Sequence, residues 1–310
     1  MKIVFLGSDD FPVPALRALT ERGFAPDLVV TRPDAPRGRG RKIYPQKIRL
    51  VAEELGLECA QPEDVLDPAF MDSLRALAPD LVLVVSYGRI LSEEFLEIPS
   101  RFCLNVHASL LPRYRGAAPI QHAIWSGDEE TGVTVMRIEP TLDTGPILLV
   151  HRTPVGAEEN AGELFARLSV LSGEALVEAI HQTEQAKVSF TPQDHSKASK
   201  APKLTKEQGH ISWTQSALEI DRQVRAFTPA PGARTRLGPR RLIILKGTLE
   251  EDNFGLGLPG RIMTAGEEGI RVCTGKDIFR ILRLKPENGR NMSAGEFVRG
   301  HSLPPDTRLG

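Results

Sequence analysis

Cysteine is scarce: Cys59, Cys103 and Cys273 are the only three in 310 residues, far apart and without a C-x-x-C pair. That spacing gives no zinc site and no redox centre, and the three read as small buried hydrophobes. Also missing is any apolar run near the ~18 residues of a membrane span, and the N-terminus MKIVFLGSDDFPVPAL lacks the basic start and unbroken apolar stretch of a secretion signal. A soluble, cytoplasmic chain with no membrane contact is expected. Glycine is missing where a dinucleotide would need it. After the first apolar run the turn reads Gly7, Ser8, Asp9, Asp10, Phe11, Pro12, with no second or third glycine to admit a pyrophosphate and two carboxylates to repel it. A P-loop and an H-E-x-x-H pattern are absent as well, and no metal is expected.

What is present suits two domains: 310 residues at 41% hydrophobic provide for an extensive core. The net charge of -1 hides an uneven distribution. From Glu184 to Gly310 there are 21 Lys+Arg against 14 Asp+Glu, a net of +7, which leaves -8 for residues 1–183. Inside the acidic part, residues 32–49 hold Arg32, Arg37, Arg39, Arg41, Lys42, Lys47 and Arg49 against Asp34 alone. A basic island and a basic second half suit a phosphate-rich partner, although charge alone is met equally by a solvated loop.

Lys2–Leu6 reads as a strand, followed by a turn and a helix over Phe11, Leu16 and Leu19 with Pro12 in its first turn. A strand over Asp27–Val30, helices over Ile48–Leu55 and Phe70–Leu77, and a continuous apolar strand over Leu81–Val85 continue the alternation. The expected fold is α/β, a doubly wound, mostly parallel Rossmann-like sheet over residues 1–184, which binds ligands beyond the carboxyl ends of its strands. Residues 185–208 are polar and lysine-rich and read as a linker. Over 209–310 a helix within Ile211–Phe227 precedes short β-prone runs at Arg241–Leu245, Arg261–Thr264, Ile270–Cys273 and Ile278–Leu284, the pattern of a small β-barrel.

The chemistry concentrates at residues 102–120, FCLNVHASLLPRYRGAAPI. In an extended strand residues two apart share a face, so Asn105 and His107 converge where the strand ends. An amide beside an imidazole can hold an oxygen that gains negative charge and can move a proton, although a histidine at a strand end is also a common structural residue. Further on, IEPTLDTG at residues 138–145 follows the β-prone run Thr134–Met136 and puts Asp143 in a turn closed by Gly145. Because strand ends of a parallel sheet meet at one edge, Asp143 is expected beside Asn105 and His107, where it would orient the imidazole.

Several blocks in one order run the length of the chain: GSDDFPVPAL, RPDAPRGRGRK, VVSYGRIL, NVHASLLPRYRGAAPIQ, GVTVMRIEPTLDTG, KLTKEQ and RAFTPAPGA. Together they resemble the methionyl-tRNA formyltransferases, members of the 10-formyltetrahydrofolate-dependent formyltransferase family. The resemblance implies a Rossmann-like catalytic domain, an OB-like β-barrel that binds tRNA, 10-formyltetrahydrofolate as co-substrate, and initiator methionyl-tRNA as acceptor; a monomer is expected because the two domains leave no apolar segment unassigned. It implies that Asn105, His107 and Asp143 are the catalytic trio, and that Ser109, Leu110, Leu111 and Pro112 line the folate site together with Tyr87 and Gly88. It further implies that Arg37, Arg39, Arg41 and Lys42 contact the acceptor arm and that Lys203 and Lys206 lie near its end. Two departures stand out: Ser8 and Asp9 where the family commonly has Thr and Pro, and Thr228 to Pro231 where it commonly has N-P-W-P. The alternatives are a formyltransferase acting on an amino sugar nucleotide or glycinamide ribonucleotide, a formyl-folate hydrolase, and a tRNA-binding protein with a dead catalytic domain. The basic insertion and the second domain disfavour the first two, the extent beyond Asp143 the third, and the retained trio the last.

Overall fold

The computed structural model describes residues 1–37, 42–251, 257–304 and 307–310, and these divide into two compact units. The first consists of Met1–Pro119, Glu130–Pro154 and Phe165–Ala201. The second takes Ile120–Glu129 and Val155–Leu164 out of the amino-terminal half and adds Pro202–Gly310.

In chain order the first half contains β1 (Ile3–Gly7), α1 (Val13–Glu21), β2 (Leu28–Val30), a hairpin of β3 (Ala35–Arg37) and β4 (Lys42–Tyr44), α2 (Lys47–Glu54), β5 (Cys59–Ala60) and α3 (Pro68–Leu77). It continues with β6 (Leu81–Val85), α4 (Glu93–Leu96), β7 (Phe102–His107), α5 (Pro119–Ser126), β8 (Glu130–Arg137), β9 (Ile147–Pro154) and α6 (Ala161–Glu184). β1 and β6 are apolar at nearly every position and wholly buried, as strands covered on both faces must be. They lie at the centre of a seven-stranded sheet of order β5-β2-β1-β6-β7-β8-β9. The helices obey local signals. α1 starts directly after Pro12 and buries Ala15, Leu16 and Leu19. α3 is capped by Asp67, whose carboxylate accepts from the Ala69 and Phe70 N–H groups.

The sheet is parallel from β5 through β7, as the alternation of strands and helices implies, but β8 runs antiparallel to β7 and β9 antiparallel to β8. The β7–β8 connection, residues 108–129, still contains a helix, α5, whereas residues 138–146 join β8 to β9 without one, as an antiparallel pair allows. The basic island, read from sequence as a loop, is flanked by paired strands, with Arg37 opposite Lys42. Arg39 and Arg41 lie outside the described residues.

The second unit carries α7 (Ala217–Phe227), β10 (Ala233–Leu237), β11 (Arg240–Glu250), β12 (Ile262–Gly266), β13 (Gly269–Cys273), β14 (Ile278–Pro286), β15 (Met292–Ser293) and α8 (Ala294–Gly300). A capping box of Ser216 and Glu219 starts α7, which buries Ile220, Val224 and Phe227. The sheet is antiparallel, β10-β11-β14-β13-β12, with β15 on β14. Its two edges are bridged by the end of the chain: Leu309 pairs with Leu237 beyond β10 and Arg308 with Arg261 ahead of β12. A sheet whose edges are joined in this way has the character of a small barrel and leaves little open edge for another chain.

Candidate active site

β7 positions the first two functional side chains. Cys103, Asn105 and His107 share one of its faces, and Cys103 lies in an apolar cluster with Val82, Val84, Tyr87 and Phe95. Val84 of β6 and Met136 of β8 flank Asn105, and Thr134 is opposite His107. The apolar face thus gives way to polar groups at the carboxyl end of the strand. Asn105 is half-buried, and among the described residues its side-chain amide has no hydrogen-bond partner. An amide so placed has its donors and acceptor open to a ligand.

His107 is 6% exposed and held firmly. Its Nε2 lies 2.8 Å from the Tyr114 carbonyl oxygen. A carbonyl only accepts, so Nε2 carries a proton, and Nδ1 is the nitrogen left to exchange one. Nδ1 faces Asp143 Oδ2 at 3.6 Å, within ion-pair range but too long for a hydrogen bond. That same Oδ2 accepts the Gly116 N–H at 2.8 Å, and Oδ1 accepts from no described residue. Sequence reasoning gave the orienting of His107 to Asp143. The Tyr114 carbonyl holds Nε2 of the same ring, and Asp143 lies as a buried carboxylate beside Nδ1.

Tyr114 is set by its own backbone, which adopts φ 62°, and by the segment it belongs to. Thr134 pins residues 109–111, its hydroxyl donating to the Ser109 carbonyl at 2.6 Å and accepting from the Leu111 N–H at 3.2 Å. Ser109 is fully buried and donates its hydroxyl to the Arg113 carbonyl. Ser199 Oγ accepts the Tyr114 N–H, and the Ser199 carbonyl accepts the Arg115 N–H. Gly116, at φ 125°, could not be another residue without conflict, because a Cβ there would stand 2.7 Å from the Ala201 carbonyl oxygen.

Asp143 arrives by a different route from the expected one. Since β8 is antiparallel, its carboxyl end at Arg137 lies beside Leu104, away from His107. Residues 138–146 lead from there back to the polar end of β7, and Asp143 itself adopts φ 54°. Gly145 lets this connection approach β8, since a Cβ there would come within 1.8 Å of the Arg137 carbonyl oxygen. Gln193 binds the connection from the other side. It is 6% exposed, and its Nε2 donates to the carbonyls of Asp143 at 3.0 Å and Gly145 at 2.7 Å.

The other expected site residues are dispersed. Leu111 is buried, whereas Leu110 and Pro112 are half-buried in the same loop. Tyr87 and Gly88 follow β6, the neighbour of β7. Tyr87 is buried, which pushes its hydroxyl above the ordinary phenol range, and Gly88 is exposed at φ 75°. Lys203 and Lys206 belong to the second unit, exposed and in no ion pair with a described residue, around a turn in which Thr205 and Gln208 bond each other. Among the described residues no group of three His, Cys, Asp or Glu side chains is arranged to hold a metal ion, and no helix is long and apolar enough to cross a membrane. Sequence reasoning missed Tyr114, Gly116, Thr134, Gln193 and Ser199. Tyr114, Gly116 and Thr134 were inside quoted blocks, but the first two act through backbone atoms, which residue type does not disclose.

Comparison with known proteins gives the same picture over the whole chain. A family profile described as formyl transferase matches residues 1–180, and one described as formyl transferase, C-terminal domain, matches residues 203–302. The methionyl-tRNA formyltransferase of Citrifermentans bemidjiense is 41% identical over 310 residues, all of this chain and 96% of that protein. That of Halorhodospira halophila is 42% identical over 308 residues, 98% of this chain and 97% of its own. Among solved structures, HypX from Aquifex aeolicus in complex with tetrahydrofolic acid superposes with a TM-score of 0.64 at 19% identity, covering 99% of this chain. The chain spans about half the length of HypX, 50%.

Proposed function

This chain belongs to the formyl transferase family, through both its N-terminal and its C-terminal domain, and on that premise we propose that it transfers the formyl group of 10-formyltetrahydrofolate to the α-amine of methionyl-initiator tRNA. The observation that carries the chemistry is the Asn105 amide, without a partner among the described residues, on the same strand face as His107, with Asp143 beside Nδ1. The acceptor rests on likeness to methionyl-tRNA formyltransferases over the full length, which also argues against an amino sugar nucleotide.

The formyl-folate supplies an activated one-carbon acyl group. The nucleophile is the methionyl α-amine, and reference α-amines have a pKa of about 7.7–8.0, so an appreciable neutral fraction exists at pH 7 without a strong base. As the amine nitrogen bonds to the formyl carbon, negative charge collects on the formyl oxygen. Asn105, whose amide donors have no competing partner among the described residues, stabilises it, and His107 adds a donor at Nδ1 when that nitrogen holds the proton taken from the amine. The amine must lose a proton before the bond from the carbon to the folate nitrogen breaks. Asp143 accepts it, directly or through water, and the folate nitrogen leaves with a proton returned through the same groups. Ser109 to Pro112, Tyr87 and Gly88 border the folate side in this reading, and the site needs no metal.

In this reading residues 1–184 carry the catalysis and 209–310 hold the acceptor RNA, with residues 185–208 connecting them and packed, as far as Ala201, into the first compact unit. Arg37, Arg39, Arg41, Lys42, Lys203 and Lys206 supply cationic contacts to its phosphates. The protein acts as a monomer in the cytoplasm. The test is transfer of labelled formyl from 10-formyltetrahydrofolate to Met-tRNA with free methionine as the control acceptor. Label is expected on the tRNA ester alone. Equal labelling of free methionine would defeat the tRNA half of the proposal, and no label on either would defeat all of it.

A further inference from the structure

We propose that Gln193 is the positioning residue for Asp143, holding the carboxylate against the Gly116 amide and His107, a role that rests on the formyl-transfer reading above. The connection bearing Asp143 is tied at its two ends, where the Ile138 N–H donates to the Cys103 carbonyl and the Pro146 carbonyl accepts the Arg137 N–H, but its middle has fewer partners. Leu142 beside it is 64% exposed, and within the turn the Thr144 hydroxyl reaches only the Thr141 carbonyl. Gln193 contributes both protons of one amide nitrogen to two carbonyls on either side of the Asp143–Gly145 turn. The orientation of that amide is itself fixed. Arg115 donates to Gln193 Oε1 from Nε at 3.2 Å and from Nη2 at 2.6 Å, so the oxygen is turned to the guanidinium and the nitrogen to the turn. His195 Nδ1 accepts from the same Nη2 at 3.0 Å and steadies the guanidinium. Arg115 and Gly116 are sequence neighbours, so the group that aims Gln193 and the amide that receives Asp143 Oδ2 move as one piece.

The requirement is specific to an amide. Glutamate at 193 keeps the acceptor for Arg115 but sets a carboxylate oxygen against two carbonyl oxygens. Methionine fills the same length and removes every donor, leaving both carbonyls without their partner. Either change frees the turn without touching His107 or Asn105. Displacing a catalytic group by about 1 Å costs on the order of a hundredfold in rate.

The test uses the full-length protein carrying Gln193→Met or Gln193→Glu, with two readouts. In hydrogen exchange, the Gly116 amide is expected to exchange at least about tenfold faster while amides of β1 and β6 keep their protection, which also shows that the variant is folded. In steady-state formylation, kcat is expected to fall about ten- to a hundredfold with both KM values within about threefold, and Gln193→Met added to Asp143→Asn is expected to slow it further by less than about twofold. Unchanged Gly116 protection, or losses that multiply in the double variant, would overturn the assignment. If the unaltered protein forms no formylmethionyl-tRNA, the formyl-transfer reading fails on that assay, and Gly116 exchange alone decides whether Gln193 holds Asp143.

Discussion

Asn105 and His107 are opposites in how they are held. His107 is gripped through Nε2 by a carbonyl and is buried, whereas the Asn105 side chain on the same face bonds none of the described residues. An unpaired, half-buried amide is a poor stabiliser of the fold and a good ligand for developing charge. Removing one such donor in comparable acyl-transfer sites costs about 2.7–4 kcal/mol, so Asn105→Ala is expected to lower kcat about a hundred- to a thousandfold with folate affinity retained. Stopped-flow turnover with a parallel folate titration checks it, and a loss under about fivefold would remove Asn105 from the centre. Two of the cysteines are inert by the same logic of surroundings. Burial pushes the Cys103 thiol up to about 12 and that of the half-buried Cys59 up to about 11, so neither offers a thiolate at neutral pH.

At the scale of elements, the antiparallel turn of β8 decides the site. In a sheet parallel throughout, Asp143 would leave a strand end beside His107. Here it reaches His107 by a returning connection that needs Gly145 at Arg137 and Gln193 at its back. The hairpin beside the basic island has a comparable clamp. Asp34 accepts Gln61 Nε2 at 2.9 Å and the Gln46 N–H at 3.0 Å, with Arg49 3.4 Å away, and these hold its carboxyl below the usual carboxylate range. A depressed folded value means stabilisation that is present above the unfolded pKa of about 3.9 and lost as pH falls through the folded one. The urea midpoint of Asp34→Asn is therefore expected to lie below that of the parent at pH 7 and to converge on it towards pH 2. A gap that stayed constant between the two would show that the clamp is not the ionised carboxylate.

For the whole molecule, charge is segregated along the chain, -8 before residue 184 and +7 after it, with the island at residues 32–49 as the exception. If that island meets RNA phosphates, Arg39→Ala weakens tRNA binding and reduces the slope of log affinity against log salt by roughly 0.7–0.9, the loss of about one counterion-releasing contact, while folate binding stays as it was. An unchanged slope across a salt titration would make the island only a solvated surface. The sequence by itself determined the alternation of strands and helices, the strands β1 and β6, the shared face of Asn105 and His107, and the turn at Asp143. Each follows from a period, a run of apolar residues or a turn residue acting over a few positions. The family could be read from ordered blocks for the same local reason. Only the tertiary structure decided that β8 and β9 reverse, that residues 120–129 and 155–164 join the second compact unit, and that Thr307 to Gly310 bridge two edge strands. It also decided that Gln193, in a stretch whose polarity reads as a linker, is buried under the Asp143 turn. Those outcomes depend on partners distant in the chain and on backbone carbonyls and amides that every residue type carries, so no local pattern announces them.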